Sequence, residues 1–330
     1  MKNFGLVADA GGTNIRFALV DLDTDASPAL IAPEKSPSRD FTSIEDAART
    51  YLVEQKLSGP PLAAVLSVAG PVSDNAISMT NLGWRFSGAQ VAKALNIGSV
   101  RLINDYEAIA YSVAALGEGD MRDVGAVKTV PKSERETVAI IGPGTGLGVG
   151  GYVRAAGKMT PLVTEGGHMD FAPGDEAEIE ILKFLQGRFG HVSVERILSG
   201  PGLSILFDAV SAVQGLDEGP REAHDITARA LKDANSICGQ VLSRFCAILG
   251  AVAGNVALVM GARDGLLLAG GILPAVGDFL VASPFRARFE AKGRFEFYMR
   301  DIPTKLIVQD NAGLMGAAAS LVAMHRAPGG

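Results

Sequence analysis

Asn104 and Asp105 stand side by side at the end of an apolar run, in the stretch LINDYEAIA at 102–110. A carboxylate there can cap a helix, and Glu107 then falls in the first turn, where its charge suits the helix dipole. It can also face a substrate, because strand ends in α/β sheets are where ligands bind. The pair alone supports both readings, so the other chemistry-bearing stretches must decide between them.

Three glycine-rich turns come next. DAGGTN (9–14) joins two expected strands. Its adjacent glycines, Gly11 and Gly12, allow positive φ and bring backbone N–H groups close to a ligand, while Thr13 and Asn14 add polar donors. A plain hairpin needs no carboxylate at the end of its buried strand, yet Asp9 is there. Mg2+ held through water beside phosphates does need one. GPGTGLGVGG (142–151) offers Gly144 and Thr145 as a second phosphate clamp. Its G-x-G-x-x-G match, from Gly146 to Gly151, continues as a strand and opens no helix, so the dinucleotide fingerprint fails, and no P-loop pattern occurs. LLLAGGIL (266–273) places Gly270 and Gly271 after a very apolar strand, where they serve close packing or a backbone surface for adenine or ribose. Three such turns at strand ends point to a bound nucleotide.

TEGGHMDFAP (164–173) sets Glu165 and His168 around two glycines, and HVSVERILSGPG (191–202) adds Glu195 before a Gly-Pro turn. Zinc is one reading of this trio, but no Cys lies near and H-E-x-x-H is absent. General acid/base work by His168 is another. Hydrogen bonding to polyol hydroxyls fits better, since carboxylates and imidazole accept well from O–H donors. SMTNLGWRFS (78–87) holds the single Trp of the chain, Trp84, beside Asn81, which either caps a turn or faces the ligand.

Positioning these groups requires strands that end at the turns. The alternation predicts strands over 4–8 and 15–20 around the first turn, buried strands over 62–70 and 99–104, and a strand–turn–strand repeat over 137–153. A loop is expected within 22–40, which holds three prolines. Helices are expected from the N-cap Ser43, over 88–95, from Tyr106 to about Leu116, and over 175–188, 202–214, 224–233 and 236–259. A strand at 304–310 and a helix at 312–325 close the chain. The repeated hairpin theme predicts two related α/β lobes, with the last helix returning to the first.

Composition bounds the function. At 330 residues, with 48% hydrophobic and 20% charged, the chain is long for one core. Its 30 Lys+Arg against 36 Asp+Glu include no basic block, so neither a nucleic-acid nor an anionic-membrane surface is expected. The N-terminus lacks a signal peptide's apolar region, and the apolar stretch 246–262 is interrupted by Asn255, so a buried helix is expected there. Cys238 and Cys246 lie on one expected helix, about 12 Å apart by helical rise, too far for a disulfide. A cytoplasmic protein fits.

Together LVADAGGTNIRFALVD, INDYEAIA, GPGTGLGVG, EGGHMDFAP, HVSVERILSGPGL, LLLAGGI and IVQDNAGLMGAAA resemble the non-zinc bacterial glucokinases of the hexokinase/actin-like ATPase superfamily. The resemblance implies an α/β, two-lobed actin-like (ribonuclease H-like) fold with a central cleft. It divides the chain into a small domain, 1–110 plus 301–330, and a large one, 111–300, with helical insertions. It further implies ATP-dependent phosphorylation of glucose with Mg2+ in a homodimer. On the matching positions Asp105 is the general base and Asn104 holds the sugar beside it. Glu165, His168, Glu195 and Asn81 take the other hydroxyls, and Asp9 orients hydrated Mg2+. The strand and turn Ala8, Ala10, Gly11, Gly12, Thr13 and Asn14, with Gly144 and Thr145, cradle phosphates, and Gly270 and Gly271 face adenosine. Ala8 stands where relatives usually carry Gly, and the cysteine cluster of the zinc-containing sugar kinases is missing after His168. A kinase for mannose or an N-acetyl amino sugar is the rival enzyme. A sugar-responsive regulator would need a DNA-binding module ahead of residue 4, and an ATPase without sugar transfer gives the Glu165–His168–Glu195 set no purpose.

Overall fold

The computed structural model describes residues 3–23, 28–57, 59–79, 81–126 and 134–326. It forms two compact units, Met1–Gly117 with Gln309–Gly330, and Glu118–Val308.

The first unit is built on strands β1 (Phe4–Ala10), β2 (Asn14–Asp21), β3 (Ile31–Pro37), β4 (Ala63–Val68) and β7 (Ser99–Asn104), in the order β3-β2-β1-β4-β7. Helices α1 (Ile44–Glu54), α2 (Gly88–Leu95) and α3 (Asp105–Ser112) connect them, and β5 (Ala76–Met79) and β6 (Trp84–Ser87) make a separate hairpin. β1, β4 and β7 run parallel. β4 is buried at every position, the continuous apolar pattern of a strand covered on both faces. Ser43 caps α1 by accepting the Asp46 N–H, as its sequence signal requires. Trp84 is buried in this unit's core.

Two expectations are refined here. Within the 22–40 span expected to include a loop, residues 31–37 form β3, because an edge strand tolerates Pro33 and Pro37 where a central one would not. The pairing with β2 shifts register between Phe17 and Leu19, and Ala32 takes a positive φ of 48° beside that irregularity. α3 ends at Ser112, short of Leu116. The opposite edge, β7, is protected by a side chain. Asn75 accepts the Leu102 N–H at 2.7 Å and donates to the Val100 carbonyl at 2.8 Å, as a paired strand would.

The second unit holds β8 (Met121–Asp123), β9 (Arg135–Pro143), β10 (Leu147–Ala155), β11 (Lys158–Thr164), β12 (Gly265–Leu268) and β13 (Thr304–Ile307), ordered β11-β10-β9-β12-β13-β8. The β9–β10–β11 meander is antiparallel, whereas β9, β12 and β13 are parallel. Strands β11-β10-β9-β12-β13 therefore repeat the topology β3-β2-β1-β4-β7, with a glycine turn at the same hairpin in each sheet. Helices α4 (Glu176–Phe189), α5 (Gly200–Val213), α6 (Ala223–Lys232), α7 (Ile237–Met260), α8 (Gly277–Ala282), α9 (Phe285–Glu290) and α10 (Glu296–Arg300) complete the unit.

By length and composition α7 is apolar enough to cross a membrane, but 72% of its most apolar window is buried in the unit's core. Cys238 and Cys246 are free and buried on it. Glu178 on α4 has no exposed side-chain surface and is compensated by Arg288, at 2.9 and 2.8 Å, and Arg244, at 3.0 Å. Removing one partner from such a buried set leaves an uncompensated charge, which makes the group a fixed joint between α4, α7 and α9.

α11 (Ala312–Arg326) belongs to the first unit, where Leu314, Ala317 and Leu321 pack with Val7, Val65, Ile103 and Ala108. It covers one face of the sheet that ends on Asp9 and Asn104.

Candidate active site

In the first unit the candidates gather at one end of the sheet. Register places Asp9 beside Ser67 and Ser67 beside Ile103, with Ala10, Val68 and Asn104 one residue on. The carboxyl ends of three parallel strands thus carry Asp9, the Gly11–Asn14 turn and the Asn104–Asp105 corner, the edge where open α/β sheets bind ligands.

The corner differs from a simple Asp cap. Asn104 is the N-cap of α3, its side-chain oxygen accepting the Tyr106 N–H at 2.8 Å, while its amide donates to the Gly70 carbonyl at 3.0 Å. Only 7% exposed, Asn104 is pinned at both ends of its amide, with one N–H unengaged among the described residues. Asp105 is therefore the first helical residue, half-buried, with Oδ1 also accepting the Tyr106 N–H at 3.1 Å. Glu107 pairs with Arg101 at 2.8 Å, and burial raises its pKa against the pull of that arginine.

Asp9 receives the Ser67 hydroxyl at 3.1 Å and the Arg16 guanidinium at 3.5 Å. Burial pushes its pKa up, with Arg16 and the Ser67 hydrogen bond opposing. A Cβ on Gly313, in the first turn of α11, would sit 3.0 Å from the carboxylate carbon, so glycine keeps the space beside Asp9 open. Ser67, Arg16 and Gly313 were not singled out from sequence. Ser67 was visible as the lone hydroxyl in LAAVLSVAG, whereas nothing local to Gly313 reveals its neighbour.

The Gly11–Asn14 turn closes with the Gly11 N–H on the Asn14 carbonyl, and Ser38 ties it down from both N–H and hydroxyl. Neither glycine adopts positive φ, so conformational freedom is not why they are there. Close approach is: a Cβ on Gly12 would stand 3.1 Å from the exposed Asn81 amide. Asn81 therefore lies beside the Gly11–Asn14 turn. Ala8 and Ala10 are 0% and 1% exposed, in a strand paired on both sides, so they support the turn and offer a ligand no side-chain surface.

In the second unit the remaining candidates surround the turn between β9 and β10. Glu195 accepts the Leu147 N–H at 2.8 Å. The Gly200 N–H donates to the Gly144 carbonyl at 2.8 Å, and the Gly144 N–H to Gly146 at 2.7 Å. Glu165 and His168 are exposed on the short turn Gly166–His168, and a Cβ on Gly167 would strike the Leu147 carbonyl at 2.1 Å. Gly270, with φ of 87°, leans on the Pro143 carbonyl, where a Cβ would come to 2.3 Å. Gly271 is exposed beside it. Gly144, Thr145, Glu165, His168, Glu195, Gly270 and Gly271 all therefore border one strand end.

Among the described residues no three His, Cys, Asp or Glu are grouped to hold a metal by themselves. A cavity of about 520 Å3, lined by Asp175, Val213, Gln240, Arg244 and Arg288 among others, shares no residue with either group.

A family model described as Glucokinase matches residues 6–324. The chain is 44% identical over 323 residues to a glucokinase of Caulobacter sp. (strain K31), covering 98% of this chain and 96% of that one. It is 42% identical over 328 residues to a glucokinase of Xanthomonas oryzae pv. oryzae (strain MAFF 311018), covering 98% and 97% respectively. The crystal structure of a glucokinase from an Antarctic psychrotroph superposes with a TM-score of 0.83 at 36% identity, covering 97% of this chain and 99% of that chain.

Proposed function

This chain belongs to the glucokinase family, and from that membership we propose that it transfers the γ-phosphoryl group of ATP to the 6-hydroxyl of D-glucose. The observation that carries the reading is the Asn104–Asp105 corner, held rigidly at the same sheet end as Asp9 and its phosphate-type turn.

Asp105 accepts the 6-hydroxyl proton as that oxygen bonds to the γ-phosphorus and the bond to the ADP oxygen breaks. Phosphoryl transfer demands positioning and charge neutralisation more than covalent chemistry, so a fixed carboxylate is the right device. Asn104 orients the corner through two hydrogen bonds and offers its remaining N–H to the sugar. Asn81, Glu165, His168 and Glu195 accept from or donate to the other hydroxyls. Gly11, Gly12, Thr13 and Asn14 present N–H and side-chain donors to phosphates, with Gly144 and Thr145, while Gly270 and Gly271 leave room for adenosine.

The surroundings of Asp9 fit Mg2+ held through water: one carboxylate, a hydroxyl beside it, and a neighbouring position kept clear by Gly313. When bound, Mg2+ supplies charge neutralisation for the phosphates. Asp9 would orient its water shell.

The reading also takes the chain as a two-lobed actin-like ATPase fold with a central cleft, active as a cytoplasmic homodimer, in line with the family resemblance. It is tested with purified protein, Mg-ATP and single hexoses, following ADP release and identifying the product. Glucose-dependent ADP release with glucose 6-phosphate as product is expected. Release only with mannose or N-acetylglucosamine, or none with any sugar, would overturn it.

A further inference from the structure

Glu195 performs a task that sugar binding does not require. Its Oε2 accepts the N–H of Leu147, the residue at which the 144–146 glycine turn becomes strand β10. The same oxygen lies where a side chain on residue 146 would begin, 2.4 Å from an ideal Cβ, so only glycine admits the carboxylate. Five residues further along the chain from Glu195, the Gly200 N–H grips the other side of the turn through the Gly144 carbonyl. Ser199 links the two grips, donating from its hydroxyl to the Glu195 carbonyl at 2.9 Å and accepting the Gly202 N–H at 3.0 Å as the cap of α5. Turn and segment 195–200 thus form one closed hydrogen-bonded circuit. Oε1 of Glu195 makes no hydrogen bond among the described residues.

We propose that Glu195 is a positioning residue for the nucleotide as well as a ligand of the sugar, holding the Gly144–Gly146 turn in its phosphate-binding shape through Leu147. The inference rests on the functional reading above. One oxygen serves the turn and the other a sugar hydroxyl, so ordering by either ligand lowers the cost of binding the other. Such coupling is reciprocal, each ligand raising the other's affinity by the same factor.

The separating experiment measures binding of a non-hydrolysable ATP analogue with Mg2+, by calorimetry, in the complete absence of sugar. A residue that only binds sugar cannot matter there. Glu195→Ala leaves the Leu147 N–H without its charged acceptor, and analogue affinity is expected to fall about tenfold or more. Glu195→Gln keeps an acceptor oxygen at the same place and is expected to restore most of that affinity. Gly146→Ala, which displaces the carboxylate without altering it, is expected to weaken analogue and glucose binding together. Repeating the titrations with glucose present is expected to show mutual strengthening in the native chain, reduced in Glu195→Ala. Unchanged analogue affinity in folded Glu195→Ala, or equal losses in the Ala and Gln variants, would overturn the proposal. A native chain that fails to phosphorylate glucose would instead overturn the functional reading.

Discussion

The Arg16 guanidinium stands 3.5 Å from the Asp9 carboxylate across the β1–β2 hairpin, yet burial still drives the pKa of Asp9 upward. The native state therefore holds the Asp9 proton more tightly than the unfolded chain does. Stability from this group is present below the ordinary value of 3.8 and is lost as pH rises through the raised native value. Asp9→Asn removes that loss. The variant is expected to be more stable than the native chain to urea at pH 7, with the advantage vanishing as pH falls toward 3.8. On the proposed role of Asp9 in orienting Mg2+-bound water, its turnover is expected to drop about 10²-fold or more, because the amide no longer supplies an anionic acceptor for that water. A variant less stable at pH 7 than the native chain would contradict the electrostatic assignment.

Gly313 predicts a different separation. In an ordinary helix Gly→Ala stabilises by up to about 1 kcal/mol. Here the added methyl would press on the Asp9 carboxylate from 3.0 Å. Gly313→Ala is expected to melt within a few degrees of the native chain while its apparent Mg2+ requirement rises about tenfold, since small misplacements at a reacting centre are costly. Initial rates across a Mg2+ titration check this, and an unchanged titration would remove Gly313 from the site.

Asn75 guards the β7 edge. Asn75→Ala removes the partners of the Leu102 N–H and Val100 carbonyl and places alanine at a φ of 55°. A loss of about 2–3 kcal/mol in urea unfolding is expected, with concentration-dependent light scattering from the bared edge. Asn75→Gly tolerates the backbone but lacks the same bonds, so it should recover only the conformational part.

Much of this was readable from the chain. Glycine pairs after apolar runs mark turns at strand ends because no other residue allows such close backbone approach, and all three turns lie at sheet ends. The cap at Ser43 and the acidic start of α4 are likewise local chemistry. What escaped is relational. β3 was hidden by prolines that only an edge position tolerates, and the strand order that makes it an edge is a tertiary fact. Asn104 and Asp105 share the corner differently than their types suggest, because Gly70 on a neighbouring loop claims the Asn104 amide. Gly11 and Gly12 are required by neighbours and not by positive φ, and the pairing of Glu195 with Leu147 joins residues distant in sequence.

The most direct measurement is the turnover of Asp105→Asn with saturating glucose and Mg-ATP, alongside its glucose affinity. The amide keeps the size of the side chain and its acceptor for the Tyr106 N–H but cannot take a proton at neutral pH. A fall in kcat of about 10²–10⁴-fold with glucose affinity held within a few fold is the predicted result. A folded variant that turns over at a near-native rate would contradict a base at this position.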